Sequence, residues 1–226
     1  MSAPLIVCGL QRTCTNLVKR ALVDACDAYQ ANGEHDGCGW KHAPIDGPLI
    51  ARPLDGQLQR LIVCVREPFA WMASCYRYFA ANRRCDVSVC RAFRPSWSFA
   101  QFVRSEHYTW PTPVARWNDY YRVALAVVDD FRAVGRPAAI VRAEDLADDE
   151  GQLSEYRRLI DELGLDLRPG NTLRAIGRRV DNRGRITRQR WDPREYAQRA
   201  TADWTPELRI WAGERLDWTL ATRLGY

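Results

Sequence analysis

Six consecutive residues, Gln11-Arg12-Thr13-Cys14-Thr15-Asn16, follow an apolar run that ends in Gly9. A helix beginning here offers free backbone N–H groups and the positive end of its dipole, and both attract an anion. The hydroxyls of Thr13 and Thr15 add donors, and Arg12 brings a full charge to a phosphate. An ordinary strand-to-helix turn capped by Thr13 accounts for the same residues. The stretch is not a Walker A loop, because Cys14-Thr15-Asn16 stands where Gly-Lys-Ser/Thr would. A second pair of interest is Arg66, which closes another apolar run, and Ser74, eight residues on, with Pro68 between them. An arginine at a strand end and a serine one to two turns into the next helix can hold one phosphate. A salt-bridged arginine and a packed helix serine fit as well. A third stretch, Trp40-Lys41-His42, puts an imidazole that titrates near neutral pH beside an ammonium group.

These residues need elements to place them. Pro4–Gly9 is a short apolar run that reads as a buried strand. Helical spacing runs from Thr13 to about Tyr29, with Leu17, Ala21, Leu22 and Ala25 on one face. Residues 30–38 read as a loop, and Gly39–Ala43 as a short strand running into Pro44. Arg60–Arg66 is the clearest buried strand, and a helix covers Phe69–Ala81 with Pro68 at its start. Residues 83–97 read as a loop or insertion. Thr112-Pro113 is an N-cap followed by a first-turn proline, opening a helix to about Val134. Pro137–Arg142 is a third buried strand, Gly151–Leu163 a helix, and Thr205-Pro206 opens a last helical region.

This order of strand, helix, strand, helix and strand predicts an α/β fold, a parallel sheet covered by helices in three layers. Ligands of such sheets bind beyond the carboxyl ends of the strands. That rule gathers Gln11–Asn16, His42, Arg66 and Arg142 along one edge. The length, 226 residues, fits a single domain over 1–226.

Together, Arg12-Thr-Cys-Thr-Asn16 and Val65-Arg-Glu-Pro-Phe-Ala-Trp-Met-Ala-Ser74 resemble the two phosphosulfate-binding motifs of sulfotransferases. These enzymes use 3′-phosphoadenosine 5′-phosphosulfate (PAPS). The first is similar to the family's Lys/Arg-Ser-Gly-Thr-Thr/Asn loop, the second to its Arg-x-Pro…Ser motif at the same spacing. Trp40–Pro44 is similar to the Lys-x-His segment that holds the base in many members, without the intervening residue. Ile140–Leu146 looks like the strand ending in Tyr-Glu-Asp-Leu. The resemblance spans most of residues 5–146 and implies a P-loop-NTPase-like sulfotransferase fold.

The resemblance also implies roles. Gln11, Arg12, Thr13, Cys14, Thr15 and Asn16 would hold the 5′-phosphosulfate, and Arg66 with Ser74 the 3′-phosphate. Arg12 would meet the charge that develops on the leaving phosphate. Lys41 would assist the sulfonyl group, and His42 would take the proton of an acceptor hydroxyl. Glu34 and Asp36 are alternative bases, since some relatives use a carboxylate. Sulfuryl transfer of this kind rests on positioning and charge stabilisation, with no metal and no covalent intermediate. The sequence departs from the family at three places. Cys14 stands where glycine is usual, and its side chain would crowd the approach to phosphate. Ala143 stands where tyrosine is common. The late Arg-Lys-Gly loop is replaced at best by Asn182-Arg183-Gly184, with Arg179 and Arg185 nearby. Those residues would belong to a nucleotide-covering lid within the arginine-rich stretch 167–200.

Composition narrows the remaining classes. Apolar residues make up 46% and charged residues 27%, an ordinary balance for a globular chain. No apolar run is long enough for a membrane span, and no secretory leader opens the chain, so a cytoplasmic location is expected. Lys19 and Lys41 are the two lysines, so the net charge of +5 is carried by arginine, whose planar fork suits phosphate and sulfate. The eight cysteines include no CxxC pair, which argues against a zinc site. Cys85 and Cys90 read as free thiols. The expected partner is a small-molecule or glycan acceptor bearing a hydroxyl, while a nucleic-acid surface along the arginines, with Trp191 and Tyr196, is the weaker reading. Two rival functions remain. A P-loop-type nucleotide kinase would need Mg²⁺ and a loop lysine, and a non-catalytic nucleotide- or nucleic-acid-binding module would tolerate Cys14 and Ala143.

Overall fold

The computed structural model describes residues 2–31, 42, 58–81, 96–107, 109–180, 186–190, 198 and 200–226, with backbone alone for 81, 178–180 and 186–190. The chain forms two compact units, one built from residues 1–65 and 123–193, the other from 66–122 and 194–226.

The first unit is organised by four strands: β1 (Ala3–Gly9), β2 (Ala28–Gln30), β3 (Arg60–Val65) and β4 (Ala138–Arg142). All neighbours are parallel, in the order β2-β1-β3-β4. Parallel strands need crossovers and helical cover on their faces, so they read as continuous apolar runs. Leu5, Ile6, Val7, Leu61, Ile62 and Val65 are accordingly buried whichever face they point to. Helix α1 (Thr15–Ala25) follows β1. Leu5 and Val7 of β1, Leu17, Val18 and Leu22 of α1, and Tyr156, Leu159 and Leu163 of a later helix share one core with Ile62 and Val141.

The sheet order fixes where a ligand would sit. From β1 the chain steps to β2 on one side, then returns to place β3 on the other. The order reverses between β1 and β3, and the crevice beyond their carboxyl ends is the binding position of such sheets. The register sets Gly9 opposite Cys64 there. A short 3₁₀ turn (Ala143–Leu146) leads from β4 towards the next helix of this unit.

The second unit contains α2 (Pro68–Ala81), α3 (Phe99–Arg104) and the start of α4 (Pro113–Ala133), whose second half belongs to the first unit. Helix α5 (Asp149–Leu163) and an antiparallel hairpin, β5 (Arg178–Val180) and β6 (Ile186–Arg190), complete the first unit. Helices α6 (Pro206–Gly213) and α7 (Trp218–Arg223) complete the second. Its core is aromatic. Phe69 meets Trp204 edge-on at 4.9 Å between centroids, and the Trp204 indole N–H donates to the Phe69 carbonyl.

Several expectations shift by a few residues. Helix α1 begins at Thr15 and stops at Ala25, because Cys26 turns extended and its N–H bonds back to the Leu22 carbonyl. After Asp27, Ala28–Gln30 form β2, a strand too short to show alternation. Helix α3 lies beyond the expected loop and is opened by a capping box, Ser98 with Gln101. The hairpin β5–β6 stands in the arginine-rich stretch 167–200, for which no strand was expected. The expected strand at Gly39–Ala43 lies outside the described residues except for His42, and so do Cys85 and Cys90. Among the described residues no helix is long and apolar enough to cross a membrane.

Candidate anion-binding site at the end of the first strand

Gly9 is required by close approach. A Cβ there would stand 2.6 Å from the Cys64 carbonyl oxygen and 2.6 Å from Thr13 Oγ1, inside any tolerable contact. Strand β1 can therefore pass directly into a tight turn beside β3. The turn that follows has two left-handed residues, Arg12 (φ 74°) and Cys14 (φ 62°), on either side of Thr13. This alternation is the backbone pattern that gathers successive N–H groups around an anion.

Thr13 is buried, and its hydroxyl donates to the Leu10 carbonyl at 2.6 Å. Its hydroxyl proton is thus committed inside the turn and holds the loop. Thr13 does not cap the helix. The N-cap is Cys14, whose side chain makes no capping hydrogen bond, and the first turn of α1 carries no acidic residue. Helix α5 shows the contrast. Asp148 caps it by accepting from the Gly151 N–H, and Asp149 and Glu150 lie in its first turn. The dipole of α5 is thus met by carboxylates of its own first turn, while the first turn of α1 carries none.

Cys14 also departs from the crowding expected of it. Its side chain packs against the core shared by α1 and α5, where Tyr156 lies. The cost of a side chain here is conformational, about 1–2 kcal/mol for a non-glycine residue in the left-handed region. Gln11 and Asn16 are half-buried, Arg12 is exposed, and Thr15, the first residue of α1, is buried.

His42 is held at the same strand end. Its Nδ1 lies 2.8 Å from the Gly9 carbonyl oxygen. A carbonyl can only accept, so Nδ1 carries the proton and Nε2 is the basic nitrogen of the neutral ring. The structure thus brings Gln11–Asn16 and His42 together within the first unit. Lys41, Glu34 and Asp36 lie outside the described residues.

Arg66 directly follows β3 and is 5% exposed. In the second unit its carbonyl accepts from the Trp117 indole N–H at 3.1 Å. Glu67 then caps α2 by accepting from the Ala70 N–H, and Ser74 lies half-buried in that helix. Arg142, at the end of β4, is engaged by Asp145 through both oxygens at 2.8 and 2.7 Å. Ala143 is 1% exposed and belongs to the core. Of the late loop, Arg179 stands in β5, while Arg183, Gly184 and Arg185 lie outside the described residues.

The chain matches no protein-family model, no curated protein and no solved structure.

Sequence reasoning did not single out Gln152, although its side chain is the buried polar junction next to this site. It is 1% exposed. Its Nε2 donates to the Leu146 carbonyl at 3.2 Å, and its Oε1 accepts from the Ile176 N–H at 2.9 Å and the Tyr156 hydroxyl at 3.3 Å. A lone glutamine in a helix gives no sequence signal of this kind. His107 was also passed over. It is buried in the second unit among Trp71, Phe79 and Phe102, and its Nε2 accepts from Arg116 at 2.9 Å. Burial, then the Arg116 charge, hold its pKa well below the ordinary histidine value. It is a neutral acceptor in a packed core.

Proposed function

We propose that this chain is a PAPS-dependent sulfotransferase of P-loop-like, three-layer architecture, moving a sulfuryl group to an acceptor hydroxyl. One observation carries the reading. An uncapped helix N-terminus behind a left-handed turn shares the end of β1 with a histidine whose Nδ1 is pinned and whose Nε2 is basic. The first half is an anion site, and the second is a general base beside it. The motif resemblance supplies the identity of the anion.

On this reading the N–H groups of Thr15 and Asn16 and the α1 dipole hold the 5′-phosphosulfate. Arg12, exposed in the turn, offsets the charge that grows on the leaving phosphate oxygen. The motif resemblance gives the 3′-phosphate to Arg66 and Ser74. His42 Nε2 accepts the acceptor's hydroxyl proton as the oxygen forms its bond to sulfur. The sulfur–oxygen bond to the phosphate breaks in line, and the electron pair leaves with 3′,5′-adenosine bisphosphate. The resemblance gives the covering of the nucleotide to the late stretch that carries Arg179, Arg183 and Arg185.

Binding separates this reading from its rivals. 3′,5′-Adenosine bisphosphate at about 100 times its dissociation constant should stabilise the protein by roughly 2.7 kcal/mol. ATP with Mg²⁺ should do markedly less. A shift with ATP·Mg²⁺ and none with the bisphosphate would instead support a nucleotide kinase. Bisphosphate binding with no sulfuryl transfer to any acceptor would support a non-catalytic module.

A further inference from the structure

The segment after α5 takes a defined path. Leu167 bridges to Cys26, the Arg168 N–H donates to the Ala25 carbonyl, and Asn171 Nδ2 donates to the Asp24 carbonyl at 2.8 Å. All three contacts lie at the carboxyl end of α1. Leu173 and Ile176 then pack on the core that α1 and α5 share. Gly177 reaches the first turn of α5, where a Cβ on it would stand 3.2 Å from Asp149 Oδ1. Helices that follow parallel strands start at the carboxyl edge of the sheet. The segment therefore returns along the seam of α1 and α5 to the edge where both begin. There it enters β5, which lies beside α1.

Gln152 fixes this return. Its oxygen accepts from the Ile176 N–H and the Tyr156 hydroxyl, and its NH₂ donates to the Leu146 carbonyl, so a flipped amide would lose the bonds to Ile176 and Leu146. Tyr156 stays a donor because burial pushes its phenol pKa up. Ile176 stands two residues before β5. The hairpin register pairs Arg178 with Arg190.

We propose that Gln152 is a positioning residue for anion binding: by holding Ile176 it directs β5, with Arg178 and Arg179, to the sheet edge where a phosphate-bearing ligand meets α1. The inference rests on the donor-binding reading above and adds the residue that sets the path of β5.

The test uses the full chain with 3′,5′-adenosine bisphosphate as probe. Gln152→Met keeps the volume and removes all three hydrogen bonds. Its affinity should fall about 10-fold, and affinity should depend less steeply on salt, because fewer cations reach the ligand. Amide exchange should quicken from Ile176 through β6 and stay unchanged in β1, β3 and β4. A folded Gln152→Met variant with wild-type affinity and salt dependence overturns the proposal. If that variant does not fold, Asn171→Ala cuts the other end of the tether at an exposed position. It must flatten the salt dependence in the same direction, and an unchanged slope overturns the proposal. Failure of the wild type to bind the bisphosphate counts against the donor reading instead. In that case exchange decides the positioning claim, and unchanged exchange over 176–190 in Gln152→Met refutes it.

Discussion

Cys14 shows how a residue choice and a backbone angle explain each other. The resemblance made cysteine an anomaly at a glycine position, and φ 62° gives the reason glycine suits it. Cys14→Gly should relieve left-handed strain of about 1–2 kcal/mol, less roughly 0.4–1 kcal/mol for the freer unfolded chain. The net expectation is a modest gain in urea denaturation, with bisphosphate affinity kept. A clear loss of stability would contradict the strain argument. His42 carries the base, so His42→Ala should lower turnover about 10²–10⁴-fold while leaving bisphosphate affinity nearly unchanged. Near-full turnover would move the role to Glu34 or Asp36. The residue types of the loop were readable in the sequence, but their division of labour was not. Thr13 and Thr15 look alike as hydroxyl donors, yet Thr13 spends its proton on Leu10. Only the turn geometry separates them.

At the scale of elements, β1, β3, β4 and the starts of α2 and α4 were legible because each has a continuous apolar run or a proline at the first helical turn. The Thr112 cap forms as expected, accepting from the Ala115 N–H at 3.1 Å. Strand β2 was hidden because three residues carry no period. The hairpin β5–β6 was hidden because arginines replace the apolar alternation that marks a strand. Helix α3 had its signal in Ser98 and Gln101, a capping box that opens directly after the expected loop. The junction of β1 with its turn gives a sharp prediction. Gly9→Ala must push apart Cys64 and Thr13, and overpacking of this kind costs about 1–3 kcal/mol. Thermal unfolding should show that loss together with weakened bisphosphate binding. A neutral Gly9→Ala would refute the close approach of β1, β3 and the turn.

For the whole molecule, charge is distributed by purpose. Among the described residues, several arginines away from the site are tied to backbone carbonyls or carboxylates. Arg60 donates to the Leu163 and Gly164 carbonyls at the end of α5, and Arg158 is held by Glu155, Glu162 and the Ile140 carbonyl. A count of arginines therefore overstates the cations available to a ligand, and no sequence count could separate the two groups. Stability should also depend on pH through His107 of the second unit. Its folded pKa lies well below its unfolded value, so the unfolded chain binds the proton first. Its contribution is complete above about pH 6.5 and falls as pH drops below that, by up to about 1.4 kcal/mol per unit. His107→Gln should flatten this acid limb, and an unchanged limb would contradict the buried neutral assignment. The central claim is sulfuryl transfer from PAPS, and a mass-detected sulfation screen over sugar, lipid, phenol and tyrosine hydroxyls tests it most directly. The account predicts donor-dependent addition of one sulfuryl group in at least one acceptor class, lost in Arg12→Ala and His42→Ala. Bisphosphate binding with no product in any class would contradict it.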